Sequence, residues 1–427
     1  MTMKHPLVDY TRRLAGPAAF LVTLGASSAA LAANYQVCVR AQVRNSDSEQ
    51  TTPTGITEDY YLTLAEKVVP ARGVYISVQT GNTTLASGFT GSSTGCLEFE
   101  APTANYIASV DVFSIARHGT TYIRAHDAGA DSSSSMPGNL FVTSYANVLL
   151  APGRRDLPAI RRNATWNAFL TGSYALWRVR TGVSNTMISM GFGSSSSSSL
   201  LGNSENYVDE GRHLVHINNG HRRRKFIVAH EIGHAVARLN YGENGTQDDF
   251  DSSYPYDGPN TNGCLNVGGY SLSSVEWDSM GFKEGYAHLY ASRVFNNPVA
   301  DGAFTLFGNT ISLERFQPAA AGNPMGGHLR NRCDSSPDHG VSTIEDWTRF
   351  LWDMYTIPES NCGPKLGLDD MYDIYSEVRS AEPTAQDAYH TEIMNAIESL
   401  GSLSACEKEA AGDYANWNAI GGQYHSY

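Results

Sequence analysis

The chain has 427 residues, a formal net charge of -13 at pH 7 and a hydrophobic content of 41%. This length is ample for a packed core and predicts about two or three domains. An acidic surface repels the phosphates of nucleic acids, so the composition argues against a nucleic-acid partner. The 40 glycines and the long serine runs indicate many loops and strands rather than a helical bundle.

The first 32 residues have the features of an export signal. Lys4, Arg12 and Arg13 form a basic start, an apolar stretch with small residues follows, and Ala30-Leu31-Ala32 matches an A-x-A cleavage site. We therefore expect a signal peptide at 1–32 and an exported protein, secreted or periplasmic. No other segment is apolar for long enough to cross a bilayer, so no membrane span is expected after removal of the signal.

Six cysteines follow the signal segment. An even number of cysteines in an exported chain favours three disulfides. No C-x-x-C spacing occurs, so a zinc site made of cysteines is not expected. Proximity along the chain predicts the pairs Cys38–Cys96, Cys264–Cys333 and Cys362–Cys406.

The rest of the chain divides at a short polar segment. Residues 33–126 contain alternating apolar and polar runs, such as Tyr35-Gln36-Val37-Cys38-Val39, which predict a small all-β, sandwich-like accessory domain. Residues 127–137 are rich in Ala, Gly, Asp and Ser and predict a linker. Residues 138–427 predict an α+β domain, because a strand pattern at 213–217 precedes helical patterns. Helices are expected at 165–179, 225–236, 344–355, 369–379 and 391–400.

The apolar helical segment at 225–236 contains His230-Glu231-Ile232-Gly233-His234. Residues four apart project from the same face of a helix, so the two histidines can bind one ion, and neutral imidazoles suit zinc. Glu231 is placed to take a proton from a zinc-activated water that attacks a carbonyl. Gly233 costs about 1 kcal/mol relative to Ala in a helix. A glycine here therefore predicts that a neighbouring element, or the metal-bound substrate, comes close to it.

This H-E-x-x-H segment resembles the active-site helix of the zincin metallopeptidases. The resemblance covers the helix and the segment near residue 284, and not the whole chain. It implies a zincin-like catalytic fold for residues 138–427, with one catalytic Zn2+ and the intervening glutamate as general base. The metzincin subgroup is excluded, because its pattern needs Gly and His where this chain has Ala237 and Asn240.

The third metal ligand is predicted by the segment 280–291. Its sequence Glu284-Gly285-Tyr286-Ala287-His288 resembles the second helix of the gluzincins, in which a glutamate supplies the third zinc ligand. The resemblance implies that role for Glu284. Two alternatives stay open, namely Glu276, the nearest other glutamate, and Asp248, which lies in a separate acidic loop.

That acidic loop resembles a different signature in part. Gly245-Thr246-Gln247-Asp248 matches the opening of the aspzincin pattern, whose aspartate is the third ligand, but the Tyr-Gly expected next falls on Asp251-Ser252. The segment 248–251, with Asp257, also offers oxygen ligands for Ca2+. It lacks EF-hand spacing, so an acidic surface loop is expected rather than a calcium site.

Two residues near Glu284 are candidates for assisting the reaction. The gluzincin pattern often has a carboxylate one turn after the ligand glutamate, and this chain has His288 there. His288 is a candidate for stabilising the oxyanion or protonating the leaving amine, with a structural histidine between helices as the alternative. Tyr290 is a second candidate, with a core or cleft-wall aromatic as the alternative.

These features predict an exported zinc-dependent metallopeptidase that hydrolyses peptide bonds in a protein or peptide substrate. The G-[AM]-M-E-N segment with which aminopeptidases of this type grip a free amino terminus does not occur, which favours an endopeptidase. The alternative is a non-catalytic exported binding or adhesion protein with a structural or decayed zinc site. Glu231 argues against that alternative, because a structural site needs no general base. No sequence pattern defines an oligomeric state.

Overall fold

The structure is a computed structural model that describes most of the predicted helices and strands. The segment between Tyr241 and Val275 and both chain ends lie outside the described residues. The described residues are 31–43, 67–127, 140–161, 163–179, 187–192, 207–209, 214–241, 275–296, 303–306, 309–313, 341–356, 366–368, 370–371, 373–374, 377, 388–418 and 420.

Strands dominate the first half of the described chain and helices the second half. The strands are β1 (Ala32–Cys38), β2 (Arg40–Val43), β3 (Lys67–Pro70), β4 (Val74–Thr80), β5 (Thr83–Phe89), β6 (Cys96–Pro102), β7 (Tyr106–His118), β8 (Thr121–Asp127), β9 (Val142–Leu150), β10 (Gly153–Asp156), β11 (Met187–Phe192), β12 (Tyr207–Asp209), β13 (Leu214–His216), β14 (Val275–Trp277), β15 (Ala303–Leu306), β16 (Asn309–Ser312) and β17 (Val341–Thr343). The helices are α1 (Ala164–Arg178), α2 (Lys225–Tyr241), α3 (Asp278–Phe295), α4 (Ile344–Thr356), α5 (Ala388–Ser399) and α6 (Ala405–Trp417).

The main sheet has eight strands, in the order β12-β13-β11-β8-β7-β4-β5, with β9 also paired to β7. The 13-residue strand β7 pairs with β4 along one edge, and with β9 and then β8 along the other. Strands β8, β11 and β13 are parallel neighbours. Strand β12 pairs antiparallel with β13. The sheet is therefore mixed, with its parallel part next to the segment that leads into α2.

Helix α1 packs on the parallel part of this sheet at a glycine. A Cβ on Gly172 would lie 2.7 Å from Cδ1 of Ile123 and 2.9 Å from Sδ of Met190, which are buried side chains of β8 and β11. The helix begins after Asn163, whose side-chain oxygen accepts a hydrogen bond from the backbone N–H of Thr165. Such an N-cap satisfies one of the free N–H groups of the first turn. The missing side chain at Gly172 lets the helix lie directly on the strands.

The main sheet includes strands from both sides of the predicted linker at 127–137. Strand β8 ends at Asp127, and it pairs in parallel with β11, which begins at Met187, beyond the linker. The three-stranded sheet β10-β1-β6 also joins residues from both sides. Two sheets therefore combine strands of residues 33–126 with later strands, whereas β2 and β3 pair with each other inside that range. Alternation identifies a strand without identifying its partner, and the domain division stays a prediction. The described architecture is mixed α/β, and the zincin-like class stays a prediction.

One predicted disulfide is confirmed. Cys38 and Cys96 face each other in the antiparallel pairing of β1 with β6, and they form a disulfide. Cys406, in α6, is also disulfide-bonded, and its partner lies outside the described residues. The predicted pair Cys264–Cys333 lies outside them as well.

Several predicted helices are confirmed with small shifts at their ends. The helix expected at 165–179 is α1, and those expected at 344–355 and 391–400 are α4 and α5. The segment expected at 369–379 is only partly described. None of the helices within the described residues is long and apolar enough to span a membrane.

Helix α3 lies between α2 and α4 and contacts both. Its contact with α4 again involves a glycine, since a Cβ on Gly285 would lie 2.7 Å from Cβ of Trp347. The rings of Phe282 and Trp347 meet edge to face, with their centroids 5.4 Å apart. Both rings are buried. These aromatic contacts hold α3 in the core, where its other face meets α2.

Candidate metal centre

The chain enters α2 through a short turn that is tied to α1. After β13, Asn218 accepts a hydrogen bond from the backbone N–H of Gly220, and one turn of 3-10 helix spans Asn219–His221. The side chain of Asn167 in α1 donates to the carbonyl of Arg222, and the guanidinium of Arg222 donates to the hydroxyl of Thr165. The start of α2 is therefore held against the helix that packs on the main sheet.

The two histidines of the H-E-x-x-H segment converge as their spacing predicts. His230 and His234 lie one turn apart on α2, and their Nε2 atoms are 3.1 Å apart. Their rings are nearly perpendicular, with an interplanar angle of 87°. His230 is buried and His234 is half-buried. Both rings therefore present the same nitrogen to one point beside the helix.

Helix α3 adds Glu284 at the same point. One carboxylate oxygen, Oε2, lies 3.1 Å from Nε2 of His230, and the other, Oε1, lies 3.3 Å from Nε2 of His234. Burial acts to raise the pKa of Glu284, but the charges and hydrogen bonds of His234 and His230 outweigh it and hold that pKa well below its ordinary value. Glu284 is therefore a carboxylate at neutral pH, as a metal ligand must be.

A glycine between the two histidines lets α3 approach this closely. A Cβ on Gly233 would lie 3.0 Å from Cβ of Tyr290 and 3.1 Å from Cα of Ala287. Any larger residue would push the helices apart, and with them the carboxylate of Glu284. The expectation that a neighbouring element packs against Gly233 is confirmed.

The donor groups of these three residues fit the coordination sphere of a small divalent ion. Ligands at about 2.0–2.1 Å from a tetrahedral zinc lie about 3.3 Å from one another, and the observed separations are 3.1–3.3 Å. Two imidazole nitrogens and one carboxylate oxygen suit zinc and other first-row divalent ions. Within the part of the chain that the structure describes, this is the one group of three such residues that meets in space.

Glu231 lies next to the first histidine and is buried. Burial raises its pKa to about 7, an effect that the charge of His230 opposes and the charge of Glu284 reinforces. A carboxylate with a pKa near neutrality is a stronger base than an exposed one and still ionises at physiological pH. The position predicted for a general base therefore has the electrostatic environment that such a base needs.

His288 packs against the first histidine. The Nδ1–H group of its buried ring donates to the backbone carbonyl of Glu284 at 2.8 Å. Its ring meets that of His230 at a centroid distance of 4.3 Å and an angle of 72°. The ring of Phe226 also lies beside that of His288, with centroids 5.7 Å apart. Burial, together with the charge of His230, lowers the pKa of His288 to about 3, so the ring is neutral at physiological pH.

The contact of His230 with His288, and the place of Phe226 beside them, were not anticipated from the sequence. Phe226 and His230 are four residues apart on α2, as are Glu284 and His288 on α3, so each pair shares one face of its helix. The spacing does not say how the two faces meet.

The other predicted residues are less closely connected with the three donors. Tyr290 is fully buried beside Gly233. Glu276 lies in β14, where it pairs along the backbone with Ser342 of β17. Asp248 and Asp257, with the loop considered for Ca2+, lie outside the described residues. The roles predicted for these residues therefore stay predictions.

Comparison of the chain with known protein families, with curated proteins and with solved structures finds no match. No relative therefore supplies a function for this chain. What the chain does has to be inferred from the chemistry of His230, Glu231, His234 and Glu284 and from the way α2 and α3 hold them.

Proposed function

We propose that this chain is an exported zinc-dependent peptidase that hydrolyses peptide bonds in protein or peptide substrates. The observation that supports it most strongly is the convergence of His230, His234 and Glu284 at 3.1–3.3 Å, next to the buried carboxyl group of Glu231. Three protein ligands leave a fourth position for substrate or water, which is the arrangement of catalytic rather than structural zinc sites.

His230, His234 and Glu284 are the proposed ligands of one Zn2+ ion. When bound, the ion supplies a Lewis acid that polarises a carbonyl oxygen and lowers the pKa of a water molecule. Pairs of imidazoles also bind other first-row ions well. Zinc is favoured because its preferred number and types of ligand match these residues. We propose no calcium site.

Glu231 is the proposed general base. Its carboxylate accepts a proton from the attacking water and then passes that proton to the departing amine, so one group serves both steps. Its raised pKa of about 7 suits both transfers, because the group exchanges a proton readily near neutral pH. His288 and Tyr290 have no assigned step, because both are buried and His288 uses its Nδ1–H for the carbonyl of Glu284.

The competing function is that of an exported binding or adhesion protein whose metal site is structural. A structural site is served by its ligands alone and gains nothing from a further buried carboxylate, which is unfavourable to desolvate. Glu231 is such a carboxylate. Its position therefore favours hydrolysis over a purely structural site. The absence of an aminopeptidase-type segment in the sequence favours an endopeptidase.

The test is the change Glu231→Gln, which keeps the size of the side chain and removes its basicity. We expect the variant to hold one zinc ion per chain, as the wild type does, while hydrolysis of a casein-type substrate falls by about 10²–10⁴-fold. Zinc is measured by mass spectrometry of the purified protein, and hydrolysis by release of labelled peptides.

The matched control is Glu98→Gln, which removes the same charge from an exposed residue of β6 and should leave both quantities unchanged. Equal inactivity of wild type and Glu231→Gln across varied substrates, with zinc bound to both, would favour the binding protein instead.

A further inference from the structure

The first histidine of the metal centre lacks the usual partner for its second nitrogen. With Nε2 facing the ion, a neutral ring carries its proton on Nδ1. In metal sites this N–H group is almost always donated to a carboxylate, a carbonyl or water, which fixes the ring. Here Nδ1 of His230 is buried and has no hydrogen-bond partner among the described protein groups. Among the described residues, no hydrogen-bond acceptor orients this ring.

The ring of His288 occupies the neighbouring space. It meets the ring of His230 edge to face, at a centroid distance of 4.3 Å and an angle of 72°. Phe226 supports it from the side of α2. Its own orientation is fixed by the bond from Nδ1–H to the carbonyl of Glu284. Glu284 therefore contributes its carboxylate to the centre and its carbonyl to the ring that packs against another ligand.

We propose that His288 is a positioning residue, and that its ring sets the plane of the His230 ring by packing rather than by hydrogen bonding. This inference rests on the proposed metal site. The plane matters because Nε2 of His230 has to point at the ion while Nε2 of His234 and the carboxylate of Glu284 do the same. Loss of a partner that orients a ligand typically weakens metal binding by about 10–100-fold.

Two substitutions separate the ring from its hydrogen bond. His288→Phe keeps an aromatic ring and lacks the donor, whereas His288→Asn keeps an amide donor for the Glu284 carbonyl and lacks the ring. We expect His288→Phe to bind Zn2+ within about 3-fold of the wild type, and His288→Asn to bind it about 10–100-fold more weakly. Affinities are measured by competition with a chromophoric chelator.

Cobalt supplies a readout that a loss of general stability would not change. The absorption bands of bound Co2+ depend on ligand geometry, so we expect wild-type bands in His288→Phe and displaced bands in His288→Asn. The control is Val294→Ala, which removes a buried side chain from α3 about 15 Å along the helix from Glu284. It should lower the melting temperature without moving the bands.

The outcomes decide between distinct explanations. If His288→Asn kept the wild-type affinity for Zn2+ while His288→Phe lost it, the effect would belong to the hydrogen bond, and the proposal would be overturned. Wild-type affinity and bands in both variants would show that His288 only fills space, which also overturns it. If His288→Asn does not fold, as judged by circular dichroism, His288→Gln replaces it, and displaced bands in His288→Phe alone still contradict the proposal.

Failure of the proposed peptidase function can be distinguished from failure of the role proposed for His288. A wild-type protein that binds neither Co2+ nor Zn2+ would overturn both the metal site and the role of His288. A wild-type protein that binds zinc but hydrolyses no peptide would overturn the peptidase alone, and the comparison of His288 variants would still decide the positioning role.

Discussion

The main sheet and the pair of helices α2 and α3 are stabilised in different ways. The inward side chains of β4, β7 and β8 are largely apolar, as at Ile76, Val110 and Ile123, and their burial is favourable by itself. The interface of α2 with α3 instead buries His230 and Glu284 among its polar groups. Buried charges are unfavourable unless they are paired or bind a metal. The sheet therefore favours folding on its own, whereas the helix pair, which also buries apolar residues, depends in addition on what its polar groups bind.

Among the substitutions that test this difference between the sheet and the helix pair, we expect the largest effect at Glu284. Changing Glu284→Ala removes one of three donors and leaves the two histidines facing each other, so we expect zinc content to fall sharply and hydrolysis to fall with it. The sheet should be unaffected, since Glu284 contributes nothing to it. Mass spectrometry measures the zinc content of the metal centre, and the far-ultraviolet circular dichroism spectrum reports on the sheet. Full retention of zinc would transfer the ligand role to Asp248 or Glu276.

A smaller effect, on stability rather than on zinc binding, is expected from removing the disulfide between β1 and β6. Cys38 and Cys96 are separated by 58 positions, and opening a loop of this length lowers the free energy of unfolding by about 4 kcal/mol in the chain-entropy treatment. We expect the double change to serine to lower the melting temperature while zinc affinity stays at the wild-type level. Loss of zinc at temperatures where this variant is still folded would show that the two regions are not independent.

The smallest effect is expected from Glu231 in the metal-free protein. Its pKa is raised by burial to about 7 in the folded protein, above its value in the unfolded chain. Ionised Glu231 therefore lowers the free energy of unfolding. The loss is absent below about pH 4, grows up to about pH 7, and reaches at most about 3 kcal/mol above that. Glu231→Gln removes the effect. The variant should melt above the metal-free wild type at about pH 8 and equally with it at about pH 4.

Differential scanning calorimetry in the presence of a chelator measures this difference. A variant that melts below the wild type at the higher pH would mean that the carboxylate of Glu231 stabilises the fold. The interpretation of Glu231 as a base kept at the expense of stability would then be wrong.

The sequence predicted the local features of the molecule better than its long-range connections. The four-residue spacing of His230 and His234 was sufficient to place both rings on one face of α2, because helix geometry is local. The close approach at Gly233 followed from the cost of glycine in a helix. Glu284 was predicted as the third ligand through resemblance, no local rule would have chosen it over Glu276, and its role as a ligand stays a prediction.

The long-range connections were missed for a physical reason. Alternation in β7 defines which of its residues face inward, but the choice of partner strand depends on the packing of the whole sheet. The predicted domain division at 127–137 stays a prediction, and β8 before it shares one sheet with β11 after it. The contact between His230 and His288 was missed in the same way, since it depends on how α2 and α3 are placed against each other.

The most direct test of the metal centre is X-ray absorption at the zinc edge of the metal-loaded protein. We expect two imidazole nitrogens at about 2.0–2.1 Å and carboxylate oxygen at about 2.0–2.2 Å, with no sulfur ligand. The number of imidazoles should fall from two to one in His234→Ala. A spectrum with sulfur ligands, or one that His234→Ala leaves unchanged, would contradict a centre built from His230, His234 and Glu284.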